Sequence, residues 1–442
     1  MKKSLLMSLI AVIMAIVMIA GCSPADDTGT DTSAAPTNAE SSAAQSSEQD
    51  AEPVTVDFMN FSANEGGQVV LDLVKDLYEQ EHPNVTINIE TFDNEPYPTQ
   101  LQTRLGGNDA PDCFELQLGD LPAYIGQDVI MPLTDMMNNT SSDLSVLTQK
   151  SKDAFSINGT AYGLPYSYST VVLIYNKDLF DQANIDYPAD DWTWEDADAA
   201  AEKIKALGND YYGLIQPVTT YEFFKVVKQY GGSLLNDDNT ALTVNSPENI
   251  TALQRLCDNI LVSNICPSVK QRGSLDEWGM FKLGKTGMIV TGIWAFPSFT
   301  TDCSFKWDIC VEPGASAKAT HYFANGLFVS KDSPNAQAAY DWIEFLSTNE
   351  AVAESRIKLG WELPCANYQS VMDEYSQTTP PDNKAAVFKS LDYVTPVPMI
   401  ADFNQMCSIL DKELEAAAAG AKTPQQALDD AQTELEAAIT LQ

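Results

Sequence analysis

Val54-Thr-Val-Asp-Phe58 is a short β-rich run, and about sixty residues later Pro111-Asp112 leads into another; what lies between them decides the fold. Gly66 to Glu81 carries Val69, Val70, Leu73, Val74 and Leu77 at helical spacing. His82-Pro83 stops that helix, since proline offers no amide hydrogen and clashes with the preceding turn, and His82 is read as a helix-end residue. Val85 to Glu90 alternates as a second strand, a short helix is predicted around Pro98 to Leu105, and Gly106-Gly107 ends it. Strand, helix, strand, helix, strand in so short a span predicts parallel strands joined by helical crossovers, an α/β sheet with helices on its faces.

Further along, helices announce themselves by their caps. Thr193-Trp-Glu-Asp196 resembles a capping box opening a helix to about Leu207, with Trp192 and Trp194 serving the helix start and Trp194 packing inward. Ser246-Pro247, Ser333-Pro334 and Thr423-Pro424 each set a hydroxyl before a proline at the first helical position. The last of these opens a terminal helix with Leu428, Ala431, Leu435 and Ile439 on one face, expected to dock on a lobe. Asn236-Asp-Asp-Asn-Thr240 lacks the glycine and distal glutamate of an EF-hand and reads as a polar turn.

Upstream of Val54 the chain changes character. Lys2 and Lys3 precede an apolar run from Leu5 to Ala20, then Ile19-Ala20-Gly21 approaches Cys22, which is the order of a secretion signal over residues 1–21. The run is short for a membrane span, which needs roughly twenty residues. The position of Cys22 resembles the lipobox of bacterial lipoproteins, in which the thiol receives a lipid; an ordinary signal with an incidental cysteine is the alternative. Residues 22–53 are Ser, Ala, Thr, Asp, Glu, Gln and Pro with almost nothing large and apolar, a composition that predicts a disordered tether. Thirty such residues reach on the order of 30 Å.

About 390 residues remain, too many for one simple core, so two domains are expected. Without the two leader lysines the chain holds 62 acidic against 23 basic residues, a net charge of about −39. Such a chain repels phosphate backbones and anionic headgroups, which argues against nucleic acid and direct lipid-surface binding. Beyond Cys22 seven cysteines remain; spacing would let Cys303 and Cys310, or Cys257 and Cys266, close small loops, but sequence does not fix connectivity. No CxxC or cysteine–histidine spacing appears, so neither a structural metal nor a cofactor is expected.

Four stretches, in order, resemble the extracellular solute-binding proteins of ABC importers, the group that contains the maltose-binding protein. They are Gly159-Thr-Ala-Tyr-Gly-Leu-Pro165 with Leu173 to Phe180, Phe281 to Met288 with Gly292-Ile-Trp294, Phe323 to Leu346, and Lys422 to Glu434. The resemblance implies a two-lobe, type II periplasmic-binding-protein-like α/β fold. Residues 54–165 and 314–346 would form the first lobe, 166–313 and 347–442 the second, with three chain crossings making a hinge. It implies a monomer anchored through Cys22 to the outer face of the cytoplasmic membrane. There it would capture a sugar between the lobes and hand it to a membrane permease, ATP hydrolysis belonging to a separate subunit.

A neutral sugar offers apolar C–H faces and a rim of hydroxyls, so its site needs flat aromatic rings plus carboxylates, amides and hydroxyls at strand ends. Trp294, after the strand Met288 to Val290 and Gly292, is the expected stacking platform, as the resemblance also implies. Asn60, Phe61, Ser62 and Asn64 follow the first strand; Glu115, Gln117 and Asp120 follow the third, with Leu116 where the maltose binder has tryptophan. Tyr166, Tyr168 and Ser169 lie at the inter-lobe crossing, Ser169 replacing a glutamate of that relative. Tyr221, Asn325, Gly326, Trp361 and Glu362 complete the candidates by the same reasoning. Two other classes fit less well: a glycoside hydrolase needs two carboxyls held across the bond, yet no GxSxG, HExxH or P-loop signature stands out; a surface adhesin would not need the crossings. A binder of polyamine or peptide keeps the architecture and changes the cargo.

Overall fold

The computed structural model describes residues 52–63, 67–107 and 109–441; the leader, Cys22 and nearly all of the low-complexity segment lie outside them, as does Asn64. β1 (Val54–Asn60), α1 (Gln68–Glu81), β2 (Val85–Thr91), α2 (Tyr97–Leu105) and β3 (Cys113–Gln117) follow the expected alternation. β1 pairs parallel with both β2 and β3. The buried stripe of α1 is Val70, Leu71, Val74 and Tyr78. Val69 and Leu73 face solvent, because the stripe is rotated to press Tyr78 against Trp342 and Phe345.

The chain continues through β4 (Leu164–Asn176), α3 (Trp194–Lys205), β5 (Tyr212–Ile215), α4 (Thr220–Gln229), α5 (Pro247–Leu261), β6 (Thr286–Gly292), β7 (Trp307–Cys310) and β8 (Thr320–Val329). It ends with α6 (Ala336–Thr348), α7 (Glu350–Lys358), β9 (Leu363–Pro364), β10 (Val394–Thr395), α8 (Phe403–Ala418) and α9 (Pro424–Ala438). The sheet runs β2-β1-β3-β8-β4-β6-β5, with β7 and β9 also on β4 and β10 on β8.

β4 governs this path. Its Leu164–Thr170 portion pairs antiparallel with β8, whereas Val171–Tyr175 pairs antiparallel with β6. The handover between Thr170 and Val171 divides the sheet into two halves, which makes this a two-lobe α/β fold. The chain passes between halves within β4, again between β7 and β8, and a third time at α7. There Val352 joins the core of the first half while Ala353 and Ile357 join the second.

Each half has a core on both sheet faces. Phe58, Tyr78 and Trp342 anchor one face of the first half, and Phe114, Phe155 and Phe328 the other. Leu173, Phe180 and Trp194 lie on one side of the second half, Ile289, Phe299 and Trp307 on the other. A further apolar layer joins α4, α5, α8 and α9 through Phe223, Leu253, Leu410, Leu414 and Leu428.

Local grammar sets most helix starts. Thr193 with Asp196 and Thr423 with Gln426 form reciprocal capping boxes, and Ser246 accepts the Asn249 amide one residue before Pro247. α6 differs: it begins at Ala336 rather than at Pro334. The Ser333 hydroxyl is drawn to Asp112 Oδ1 at 2.5 Å and accepts the Asn335 amide at 3.1 Å, so the hydroxyl tightens a turn before the helix. Leu428, Ala431 and Leu435 pack inward with α8, as the terminal pattern predicts. The two small cysteine loops are not closed: all seven cysteines among the described residues are free thiols.

Candidate functional site

Where the halves meet, polar side chains converge from five elements. Glu115, wholly buried on β3, accepts the Phe61 and Ser62 amides at 3.3 and 3.1 Å. Glu362, just before β9, accepts the Ser167 and Ser169 hydroxyls of β4 at 2.6 and 3.3 Å and the Asn325 amide of β8 at 3.3 Å. Trp361 donates its indole N–H to the Ser62 carbonyl at 3.0 Å. Arg356 on α7 reaches in from behind, its guanidinium carbon 3.8 Å from the Trp361 ring centre and 4.4 Å from that of Tyr166. Burial, and then the Glu362 carboxylate, push the Glu115 carboxyl up to about 7, against the opposing pull of Ser62 and Arg356.

A second group is aromatic. Tyr221 of α4 packs edge-on to Phe403 and tilted against His321 and Phe323. Trp294 meets Phe323 edge to face at 5.0 Å. Its ring lies where a side chain on Gly292 would be, 1.8 Å from an added Cβ, so only glycine admits this ring position. Burial, reinforced by the nearby Lys225 cation, holds His321 well below the usual imidazole range, hence neutral. Behind this face Lys225 Nζ sits 2.6 Å from Glu312 and 2.9 Å from Glu222. Gln229 donates to Glu312 and accepts from Trp194 Nε1 at 2.6 Å.

Direct contacts join the two halves beside these groups. The Tyr221 hydroxyl points to Gln117 Oε1 at 3.5 Å, and the Asn404 amide donates to Asp120 Oδ1 at 3.0 Å. Gly119 lies tightly against Val397 and Phe403, where an added Cβ would approach a Val397 methyl to 3.0 Å.

The sequence candidates thus fall into distinct places. Ser62, Glu115, Tyr166, Ser169, Asn325, Trp361 and Glu362 share the polar cluster. Trp294 and Tyr221 share the aromatic group, and Gln117 and Asp120 bridge the halves. Asn60 bonds within its own neighbourhood, to Thr91 Oγ1 at 2.9 Å and to the Ala63 amide at 3.3 Å. Phe61 packs on Tyr97, Tyr168 stacks on Tyr322, and Gly326 leaves room for Phe155. Ser167, Phe323, His321 and Arg356 join these groups without having been singled out. Ser167 lies between the candidates Tyr166 and Tyr168, and Phe323 opens one of the stretches that carry the resemblance. A cavity of about 770 Å³ lies elsewhere, lined by Tyr78, Met136, Thr140, Ser142, Tyr340 and Glu344.

The family model for bacterial extracellular solute-binding protein matches residues 61–353. The structure of ABC substrate-binding protein Lmo0181 from Listeria monocytogenes, in complex with cycloalternan, is 40% identical, with a TM-score of 0.84 over 87% of this chain and 99% of that one. Maltose-bound MalE3 of T. maritima superposes with a TM-score of 0.75 at 18% identity, over 87% of this chain and all of that one, a likeness of fold. The arabinooligosaccharide-binding protein of Bacillus subtilis is 24% identical over 98% of this chain and 99% of its own length.

Proposed function

Because the chain belongs to the bacterial extracellular solute-binding proteins, we propose that it captures a neutral oligosaccharide between its two halves for an ABC importer. The observation that carries this reading is the pairing of two chemistries at the meeting of the halves. The Trp294, Phe323 and Tyr221 rings offer C–H-binding surface, and the Glu115, Ser167 and Glu362 cluster offers hydroxyl partners. The cycloalternan complex of the 40% identical relative supports a glucose-type oligosaccharide as cargo. The candidate ligand residues are Trp294, Asn60, Phe61, Ser62, Asn64, Glu115, Gln117, Asp120, Tyr166, Tyr168, Ser169, Tyr221, Asn325, Gly326, Trp361 and Glu362.

In this reading residues 54–165 and 314–346 move against 166–313 and 347–442. Solute binds one lobe, and closure draws its free energy from contacts that the other lobe makes only with ligand in place. The closed monomer is what the permease recognises, and lipid on Cys22 keeps it at the outer face of the membrane; Cys22→Ala should release the protein from the membrane fraction. The chain acts by binding, without catalysis or cofactor.

A thermal-shift panel of cycloalternan, maltose, arabino-oligosaccharide and spermidine tests the cargo, since a ligand of the folded state raises the melting temperature. A sugar is expected to shift the melt, and Trp294→Ala to weaken its binding by about 10- to 100-fold while the ligand-free chain, though less stable for the lost contact with Phe323, still unfolds cooperatively. A shift with spermidine alone refutes the sugar, and release of reducing sugar by pure protein refutes the binding-only role.

A further inference from the structure

Among the described residues, eleven buried side-chain polar atoms lack a hydrogen-bond partner, and five of them sit in one place: Ser62 Oγ, Glu115 Oε1, the Tyr166 hydroxyl, and Arg356 Nη1 and Nη2. Buried polar atoms are nearly always paired, so a concentration of this kind marks where a partner from outside the chain belongs. The atoms are neighbours. Ser62 donates its amide to Glu115, Trp361 ties to Ser62, and Arg356 lies between Trp361 and Tyr166. The Ser62 side chain lies within hydrogen-bonding reach of Glu115, and Arg356 within reach of the Tyr166 hydroxyl, but neither contact has the geometry of a full hydrogen bond, so each pair keeps capacity for a further partner.

Arg356 is the unusual member. Its side chain is wholly buried, its Nε donates to the Glu362 carbonyl at 3.2 Å, and its Nη2 stands 3.5 Å from Glu362 Oε2, an ion pair without a hydrogen bond. Two aromatic faces flank the guanidinium, while its terminal nitrogens complete no hydrogen bond of good geometry. Ser62, Trp361 and Glu362 are only half-buried and form the rim of the cluster.

We propose that Arg356 is a specificity-determining residue of the sugar site, its Nη groups acting with the Tyr166 hydroxyl and Glu115 Oε1 to take adjacent hydroxyls of a neutral sugar. This rests on the oligosaccharide reading and sharpens it. A hydroxyl gives and accepts, as this mixed set of donors and one acceptor requires. A carboxylate ligand meets Glu115 and Glu362, and an amine meets the guanidinium, so both charged classes are disfavoured.

Calorimetric titration of cycloalternan, with maltose as the second probe, into the purified chain and two variants tests this. Tyr166→Phe removes a hydroxyl whose protein neighbour is the Arg356 guanidinium but keeps the ring that packs on it, so the ligand-free melting temperature should fall little, while affinity is expected to drop about 5- to 30-fold. Arg356→Lys keeps the charge and loses the planar fork, with about a 10- to 100-fold loss expected. Unchanged affinity in both variants overturns the proposal. So does a lower ligand-free melt in Tyr166→Phe with affinity intact, which assigns the hydroxyl to ordered water. Failure of the parent protein to bind any sugar in the panel refutes the oligosaccharide reading itself, a result distinguishable from either.

Discussion

Two buried cations show how differently this chain treats charge. Lys225 is caged: Glu312 and Glu222 lie within 3 Å, and Gln216, Gln229 and Thr320 satisfy the carboxylates in turn. Arg356 is held by ring faces, with its one carboxylate at 3.5 Å and its terminal nitrogens unbonded. The first arrangement commits its cation to two carboxylates of the fold. The second keeps donors in reserve at the joint between the halves. A buried charge is costly unless paired, so a completed cage belongs to architecture and an incomplete one to binding.

The sharpest way to break this contrast is to delete each cation. Lys225→Met strands two buried carboxylates and is expected to cost about 3–5 kcal/mol in urea unfolding at pH 7. Arg356→Met should cost less, about 1–3 kcal/mol, because Glu362 retains Ser167, Ser169 and Asn325 as donors. Equal losses, or a larger one at Arg356, would erase the distinction.

Acidity offers the next test. Glu115 is raised to about 7 mainly by burial, and Glu222 likewise, with Lys225 opposing and Glu312 adding. Between about pH 4.5 and 7 the native chain therefore binds protons that the unfolded chain has released, so stability falls as pH rises through that window. Glu115→Gln should remove part of that fall. Comparing pH 5 with pH 8, the variant is expected to lose less stability than its parent, by on the order of 2–3 kcal/mol. Identical slopes in paired denaturation series would show that Glu115 stays ionised across the range. The smallest effect is at the edge of the lysine cage: Trp194→Phe leaves Gln229 Oε1 without its 2.6 Å donor, for about 1–2 kcal/mol in the same assay.

What the sequence told of all this depended on range. Thr193, Ser246 and Thr423 act on amides two or three residues away, so their helix starts were legible from a few letters. Ser333 carries the same signature, but its hydroxyl bonds Asp112, 221 residues distant, and the helix starts later. The same limit applies to the site. Trp294 and Glu115 stood out as strand-end residues, whereas nothing near Arg356, flanked by Ser355 and Ile357 on an amphipathic-looking helix, says that its guanidinium is wholly buried. That burial is set by Tyr166, brought from far upstream by β4. The residues that are joined by distant strands are the ones that local periodicity could not foresee.

β4 itself has a mechanical consequence. Its thirteen residues make a rod about 43 Å long, and Thr170, where its partners change, is its midpoint. Each degree of bend there carries either tip through about a third of an ångström. A bend at this fulcrum would therefore move both tips of the rod while the strand pairs on either side of it stay intact.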